Sequence, residues 1–339
     1  MREADLLRTI GASFPHSPSV PLGIGDDAAA ILPCANQYLL ATTDSLVDGI
    51  HFDLAFSTYS QLGQRAVAVN VSDIAAMGGT PTALLVSLGL TERQGHREIA
   101  ALYRGMKKEA GSVALVGGNL SASPTFWLSI TLLGEVAPEK MVKRAGARVG
   151  DRLYVTGTLG DAAAGLALLK SGRDDWRSDR RYRPLITRYQ TPHARRREGA
   201  CLAAEGLSSA MIDLSDGLST DVGHLAEQSG VGIEIDAAHL PISPALRRYL
   251  QQTGGDPIDF ALNGGDDYEL LFAVPPGKQA RLSDLIQRGI IDATPIGVVA
   301  PKSHGRSIRI DGQLRPLVAA GYDHQVASPP ARTAVEGTR

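Results

Sequence analysis

Apolar residues in this 339-residue chain follow two patterns, one typical of buried strands and one typical of helices that lie on a sheet. Short runs rich in Val, Ile and Leu that end at Gly, Ser, Thr or Asp predict strands. In the first half these runs occupy residues 38–41, 83–88, 113–116 and 127–133. Between them, residues 62–77 and 98–110 place apolar side chains three and four positions apart, which predicts helices.

The alternation restarts after a stretch rich in Gly and Arg at 143–150. Helices are predicted over 161–170 and about 218–228, and strands over 153–155, 210–213, 232–235, 269–274, 296–299 and 308–310. We therefore expect an α/β (α+β) chain with two mixed α/β domains, 1–145 and 146–326. The polar residues 327–339 lack apolar periodicity and predict a disordered tail.

Composition narrows the class of protein. The chain has 34 Lys and Arg against 36 Asp and Glu, so its net charge of −2 gives no general attraction for nucleic acid or an acidic membrane. No uninterrupted apolar run is long enough to span a bilayer, and the charged amino terminus does not resemble a secretion signal. With only Cys34 and Cys201, neither a disulfide framework nor a four-cysteine zinc site is expected. We expect a cytoplasmic protein without a membrane or nucleic-acid partner.

One segment departs from this balance, because residues 173–197 contain nine arginines and three acids. A nucleic-acid patch is one interpretation. A solvated helix and loop is favoured, since aromatic residues are sparse in the segment and the whole chain is slightly acidic.

The sequence lacks the phosphate-binding loop with its Gly-Lys-Ser/Thr ending, the Gly-x-Ser-x-Gly elbow and the His-Glu-x-x-His pair. It does contain carboxylates beside small residues, often where a predicted strand ends. Each cluster alone is also typical of a turn or a helix cap. The clusters centre on Asp27, Asp44, Asp73 at the front of a helix, Asp213 with Asp216, and Asp266.

If Asp27, Asp44, Asp73 and Asp213 converge on one cleft, their repulsion requires cations or protonation. Hard oxygen ligands suit Mg²⁺, which commonly bridges to substrate phosphates. Several Mg²⁺ ions beside a glycine-rich segment indicate phosphoryl transfer.

Other candidates have a structural alternative. Gly117, Gly118 and Asn119 follow a predicted strand, so their backbone could approach a polyphosphate or form an ordinary turn. Tyr103 is suited either to a nucleotide or to the core. Arg144 and His51 are candidates for phosphate and substrate contacts, although a surface arginine and a structural histidine are equally compatible with the sequence.

Several motifs, taken together and in order, resemble the thiamine-monophosphate kinase family. They are Gly-Ile-Gly-Asp-Asp-Ala, Thr-Thr-Asp44, His51-Phe, Asn-Val-Ser-Asp73-Ile-Ala-Ala-Met-Gly-Gly, Gly-Gly-Asn119, Ile-Asp213-Leu-Ser-Asp-Gly and Gly-Gly-Asp-Asp-Tyr-Glu-Leu. The resemblance implies ATP-dependent phosphorylation of thiamine phosphate to thiamine diphosphate, the fold shared with aminoimidazole ribonucleotide synthetase, and a homodimer formed through the amino-terminal domains.

The resemblance also implies roles for individual residues, with Asp44, Asp73 and Asp213 at the catalytic centre. Metal ligands are expected at Asp27, Thr42, Thr43, Asp44, Asp73, Asn119, Asp213 and Asp216. Nucleotide contacts are expected at Tyr103, Gly118, Asn119, Arg144 and Ser215, and substrate contacts at His51, Asp266 and Ala319. Three of these differ from the family pattern: Asn119 stands where some relatives carry Asp, Asp266 replaces a typical Glu, and Ala319 replaces a frequent aromatic residue.

Two kinds of alternative function remain at this point. One is another ATP-using enzyme of the same superfamily, such as an aminoimidazole ribonucleotide synthetase or a selenophosphate synthetase. The other is a non-catalytic protein that binds nucleotides or divalent metals.

Overall fold

The computed structural model describes residues 18–20, 31–172 and 179–322, and the first half of the chain forms a four-stranded sheet. Its strands are β1 (Tyr38–Val47), β2 (Thr80–Leu90), β3 (Ala114–Ala122) and β4 (Trp127–Val136). The spatial order is β1-β4-β2-β3. Only β2 and β3 are parallel; the other pairs are antiparallel.

Two helices, α1 (Tyr59–Ala76) and α2 (His96–Ala110), pack against this sheet. α1 begins with a capping box, in which the Thr58 side chain accepts from the Gln61 N–H and the Gln61 side chain accepts from the Thr58 N–H. It is buried on nearly every side because it also contacts the second half of the chain. α2 has a regular amphipathic pattern and buries only one face.

The second half forms a seven-stranded sheet in the order β11-β10-β7-β9-β5-β8-β6. The strands are β5 (Arg152–Thr156), β6 (Ala210–Asp213), β7 (Gly232–Asp236), β8 (Leu270–Val274), β9 (Ala293–Ala300), β10 (Arg306–Ile310) and β11 (Gln313–Pro316). The helices are α3 (Asp161–Lys170), α4 (Arg183–Gln190), α5 (Arg196–Ala204), α6 (Leu218–Ser229), α7 (Pro244–Thr253), α8 (Pro257–Asn263) and α9 (Gln279–Gln287).

Apolar clusters lie between each sheet and its helices. The expected α/β (α+β) class is therefore confirmed. The predicted boundary at residue 145 falls in the connection between the two sheets, and it stays a prediction. No helix in the described ranges combines the length and apolar character needed to cross a bilayer.

The two halves pack closely where α5 meets α1. A Cβ atom at Gly199 would lie 2.2 Å from the Ala75 carbonyl oxygen, so this approach requires glycine. α1 also contacts β6, which brings the end of that strand to the first half. A cleft between the halves follows from this packing.

Two local expectations differ from the structure. Asp73 lies in the last turn of α1 rather than at the front of a helix, because the capping box at Thr58 starts the helix much earlier. Gly117, Gly118 and Asn119 do not follow a strand but continue β3 as far as Ala122. The register of β3 against β2 shifts at this point, which is typical of a β-bulge.

Candidate active site

A cleft of about 760 Å³ lies between the two halves of the molecule. The first half contributes the end of β1, the loop that follows it and one side of α1. The second half contributes α3 and the loops after β6 and α8, with residues 320–322 at the margin. Residues that are far apart in the sequence therefore meet around one space.

Three carboxylates from separate elements line this cleft: Asp44 on β1, Asp73 on α1 and Asp213 at the end of β6. We call them the acidic group. Strand alternation points Thr42 and Asp44 to the face of β1 that packs on α1. The Thr42 hydroxyl donates a hydrogen bond to Asp73 Oδ2. The structure thus brings the acidic group together, while the roles of its members stay predictions.

Burial and mutual repulsion raise the pKa of the acidic group. Burial, followed by the charge of Asp73, raises the pKa of Asp44 to about 6 and the pKa of Asp213 to about 7. Burial also raises the pKa of Asp73, although the hydrogen bond from Thr42 and the charge of Arg144 act in the opposite direction. A bound divalent cation would favour the ionised form of all three carboxyl groups.

The described side chains do not form a complete metal site by themselves. Across residues 18–20, 31–172 and 179–322, no three His, Cys, Asp or Glu side chains are grouped closely enough to hold a metal ion. Mg²⁺ commonly takes one or two protein carboxylates and completes its shell with water and substrate phosphates. The carboxylate and hydroxyl oxygens on the cleft wall are donors that fit that mode of binding. Asp27, another expected ligand, lies outside the described residues.

The loop after β6 places Ser215 and Asp216 on the cleft wall. The N–H groups of Asp216 and Gly217 both donate to Asp221 Oδ2 over 3.1 Å, which fixes the loop at the start of α6. Burial, followed by the charge of Asp216, raises the pKa of Asp221 to about 7. The acidic character of this wall therefore extends beyond the acidic group.

The positive charge of Arg144 lowers the pKa of two of these carboxylates. Arg144 is exposed in the connection between β4 and β5, and its charge acts on both Asp73 and Asp213. The Ser229 hydroxyl donates to its carbonyl oxygen over 3.1 Å and fixes the backbone. A guanidinium near this cleft is a group that can bind phosphate oxygens.

Rings line another part of the cleft, together with the predicted substrate contact His51. The lining rings are His51, Phe52, Phe56, Tyr189, Tyr268 and Tyr322. His51 Nδ1 accepts a hydrogen bond from the Val47 N–H over 3.1 Å, so this nitrogen is used within the loop. Such a surface can hold a flat organic ring.

Asp266, a predicted substrate contact, also lines the cleft and forms an ion pair with Arg65 at 2.8 Å. Its N–H donates to the Ser215 carbonyl over 2.8 Å, which joins the loop after α8 to the loop after β6. The Asp266 side chain is 30% exposed, so its carboxylate is accessible from the cleft.

Several predicted residues do not line the cleft. Thr43 lies on the opposite face of β1, where its hydroxyl donates to the Ile130 carbonyl over 3.1 Å. Tyr103 lies in the core of the first half and is 5% exposed, and burial raises the pKa of its hydroxyl. Ala319 is exposed outside the cleft, whereas Tyr322, three positions later, lines it.

Gly118 and Asn119 lie on β3, at the edge of the first sheet. A Cβ atom at Gly118 would lie 1.9 Å from the Val86 carbonyl oxygen, so the close pairing with β2 explains this glycine. The Asn119 side chain is exposed and donates to the Ser121 hydroxyl over 3.1 Å. Both residues lie outside the cleft wall.

Sequence analysis missed several residues of the cleft, chiefly Arg65, Tyr189, Tyr268 and Lys170. A usable signal existed for Arg65, because a charge within the apolar stretch of a buried helix requires a specific partner. Tyr189 carried no comparable signal, since it belongs to the arginine-rich segment interpreted as solvated.

That interpretation of the arginine-rich segment is wrong for two of its residues. Arg188 and Arg195 are only 16% and 15% exposed, and both form ion pairs with the buried Glu269. Arg181, in contrast, is exposed and pairs with Asp179 at 2.6 Å. Residues 173–178 lie outside the described residues.

Comparison with protein-family models identifies two regions of the chain. Residues 25–136 match the N-terminal domain of AIR synthase related protein, and residues 148–310 match its C-terminal domain. Together these matches cover most of the chain.

Individual relatives indicate a more specific family than the two domain matches do. The chain is 38% identical to the thiamine-monophosphate kinase of Aquifex aeolicus over 296 residues, which are 86% of this chain and 89% of the relative. The crystal structure of thiamine-monophosphate kinase from Stenotrophomonas maltophilia has a TM-score of 0.81, with 36% identity, and covers 92% of this chain and 98% of its own. The complex of AaThiL with AMPPCP and TMP has a TM-score of 0.76 and 35% identity. The match covers 96% of this chain and 99% of the AaThiL chain.

Proposed function

This chain belongs to the thiamine-monophosphate kinase family, and we propose that it transfers the terminal phosphoryl group of ATP to thiamine monophosphate. The products are thiamine diphosphate and ADP. The proposal depends on one observation above all: carboxylates from β1, α1 and β6 line a single cleft between the halves.

The charge of the reactants explains why this arrangement suits the reaction. The acceptor is a phosphate oxygen that is already anionic near neutral pH, so no strong general base is needed. The main barrier is repulsion between two polyanions that must approach in line. Bound Mg²⁺ would supply the positive charge that offsets this repulsion.

The acidic group, Thr42 and Asp216 are the described residues that we assign to holding Mg²⁺. From the sequence we also assign Asp27, Thr43 and Asn119 to holding Mg²⁺. Because the Thr43 hydroxyl faces away from the cleft, its backbone carbonyl is the group that we assign. Ser215 and Arg144 then contact the phosphates, with Arg144 facing the same carboxylates from the connection between the sheets.

The remaining nucleotide contacts lie elsewhere on the first half. Gly118 and Asn119 belong to an edge strand, whose outer backbone groups are suited to binding phosphate oxygens. Tyr103 is mostly buried, so only a small part of the residue is accessible to a nucleotide. These three assignments depend on the family resemblance rather than on the cleft.

We place the organic part of the substrate against the rings of the cleft, with His51 and Asp266 as polar contacts. Ala319 offers only a methyl group outside the cleft, so the aromatic contact is assigned to the lining rings, including Tyr322. This assignment places the substrate ring and the acidic group in the same enclosed space.

We also propose a homodimer formed through the first half, and a cytoplasmic location. The face of the first sheet opposite α1 carries the hydroxyls of Thr43 and Thr131, which bond to each other over 3.3 Å, and the half-exposed Leu39. Such a face suits a second copy of the chain, which light scattering would detect. Cys34 and Cys201 are both free thiols, which suits a reducing compartment.

The test of this function is production of ADP from Mg-ATP with three alternative acceptors. These are thiamine monophosphate, free thiamine and an aminoimidazole ribonucleotide precursor, with each product identified by mass. We expect thiamine diphosphate from the first acceptor alone. ADP release with the precursor would favour the synthetase alternative, and tight ATP binding without any product would favour a non-catalytic protein.

A further inference from the structure

Arg65 is a buried charge that none of the proposed roles uses. It lies on α1 among the core residues Ala66 and Val67, and it is only 4% exposed. Burying a guanidinium is unfavourable unless its charge and its N–H groups find partners. The partners of Arg65 therefore indicate why the charge is present.

These partners are residues of the cleft wall contributed by the second half. Arg65 Nη2 lies 2.8 Å from Asp266 Oδ1, and Nη1 donates to the Tyr189 carbonyl oxygen over 2.5 Å. The guanidinium carbon also lies 4.6 Å from the centroid of the Tyr189 ring, which is a cation–π contact. One side chain of the first half thus contacts two lining residues of the second.

A third lining residue is held through Asp266. The Tyr268 hydroxyl donates to Asp266 Oδ1 over 3.1 Å, so this oxygen binds both Arg65 and Tyr268. With Oδ1 used in this way, the orientation of the carboxylate is set, and Oδ2 is the oxygen that remains for the substrate.

The backbone around Asp266 is fixed independently. Asp266 and Tyr268 have positive φ angles of 69° and 50°, a conformation that is unfavourable for residues other than glycine unless the surroundings impose it. The N–H groups of Asp266 and Tyr268 donate to the carbonyls of Ser215 and Leu214, each over 2.8 Å. On the other side, Asp267 accepts from the Gly160 N–H over 2.7 Å. The second half therefore holds the loop, whereas Arg65 is the residue of the first half, among those that the structure describes, that pairs with the Asp266 carboxylate.

We propose that Arg65 is a positioning residue that aims the Asp266 carboxylate at the organic part of the acceptor substrate. The inference rests on the proposed function, in which Asp266 is a contact for thiamine monophosphate. Arg65 does not contact the acidic group, so its effect is on the acceptor and not on ATP.

A kinetic double-mutant cycle tests this role, with the variants Arg65→Met, Asp266→Asn and the two combined. Methionine keeps an apolar stem of similar length and removes the charge. For Arg65→Met we expect the KM for thiamine monophosphate to rise more than about tenfold, with the KM for ATP within about twofold. In the Asp266→Asn background, Arg65→Met should add less than about twofold, because no carboxylate remains for the arginine to aim.

Two further variants complete the design. Arg65→Lys keeps the positive charge and should recover part of the lost affinity. Arg281→Met is the matched control, because it breaks an exposed ion pair with Glu205 at 2.9 Å far from the cleft residues, and both KM values should stay unchanged. If Arg65→Met does not fold, Tyr268→Phe removes only the hydroxyl on Asp266 Oδ1 and should raise the KM for thiamine monophosphate alone.

A purely structural role would give a different result. Equal increases in both KM values, or additive effects of Arg65→Met and Asp266→Asn, would overturn the inference. Failure of the proposed function would be visible in the wild-type chain, as an absence of thiamine diphosphate. Calorimetric titration with thiamine monophosphate alone then decides the inference, which fails if the wild type and Arg65→Met bind it equally or not at all.

Discussion

Two groups of charged residues in this molecule follow opposite rules. In the Glu269 cluster, formed by Thr156, Arg188, Arg195 and Glu269, a fully buried carboxylate is surrounded by donors. Arg195 Nε and Nη2 lie 2.5 and 2.7 Å from its two oxygens, and Thr156 donates to it over 2.5 Å. In the acidic group, the carboxylates act on one another as like charges. Arg144, whose positive charge acts on this group, is exposed.

This difference separates charge used for structure from charge used for function. In the Glu269 cluster the buried carboxylate is paired with two arginines, so the cluster joins α4 and the start of α5 to the start of β8 without a ligand. The acidic group has raised pKa values because its carboxylates are buried and because the charge of Asp73 acts on Asp44 and Asp213. In the proposed function, a bound cation supplies the positive charge that keeps these carboxylates ionised.

Breaking the Glu269 cluster should have the largest effect on stability. Glu269→Gln leaves two buried arginines without their carboxylate, and we expect the free energy of unfolding to fall by about 3–5 kcal/mol. Chemical denaturation monitored by circular dichroism measures it. The matched control is Glu205→Gln, which affects an exposed pair and should leave the free energy of unfolding nearly unchanged. Equal effects of the two substitutions would contradict the structural role of the cluster.

The same kind of substitution in the acidic group should affect catalysis instead. Asp44→Asn removes one charge at nearly constant size, and we expect turnover to fall more than about tenfold, because less Mg²⁺ is held between the phosphates. Its free energy of unfolding without divalent cations should not fall, since the substitution relieves repulsion with Asp73. Steady-state kinetics and denaturation in EDTA measure the two quantities. Asp284→Asn, on the exposed side of α9, is the control and should leave turnover unchanged. Near-normal turnover of Asp44→Asn would exclude Asp44 as a metal ligand.

A smaller and more selective effect is expected for His51. Its ring lines the cleft together with Phe52 and Asp53, and we place it at the acceptor site, so His51→Ala should weaken acceptor binding. We expect a larger rise in the KM for thiamine monophosphate than in the KM for ATP, measured by steady-state kinetics with each substrate varied in turn. His304→Ala, at an exposed turn, should change neither value. Equal losses for both substrates would remove His51 from the acceptor site.

The smallest expected effect is on the pH dependence of stability. Folding raises the pKa of Asp44 to about 6 and of Asp213 to about 7 from the usual 3.8, so folding favours their protonated forms. Their contribution to the free energy of unfolding is therefore complete below about pH 4 and is lost as the pH rises through about 6 and 7. In EDTA, the wild type should lose stability between pH 5 and pH 8 relative to the Asp44→Asn/Asp213→Asn variant. If the pH profiles of the wild type and the variant are parallel, ionisation of the acidic group does not destabilise the folded protein.

Much of the fold was predictable because apolar periodicity acts over a few neighbouring residues. The strands and helices around Asp44 and Asp213 follow directly from it, as does the mixed α/β class. The predicted extent of β3 was too short, since Gly117 and Gly118 are typical of turns. Their place in a strand depends on the close pairing with β2, which no local pattern records.

The candidate site was predictable only where its residues belong to motifs. Asp44, Asp73 and Asp213 carried that signal, because carboxylates beside small residues after strands are typical of phosphate and metal sites. Arg65 and Tyr189 carried no motif, although they hold the wall that includes Asp266. Arg188 and Arg195 were interpreted as solvated because their buried partner, Glu269, lies more than seventy residues further along the chain.

By itself, then, the sequence determined ten of the eleven strands and four of the nine helices in the described residues, which carboxylates are candidates for metal binding, and which family pattern they match. Only the tertiary structure decided which charges neutralise one another. Secondary structure depends on spacing within a few residues, whereas an ion pair such as Arg65–Asp266 depends on how α1 packs between two sheets. That packing brings dispersed charges together as one cluster of paired opposite charges in the interior and one group of like charges in the cleft.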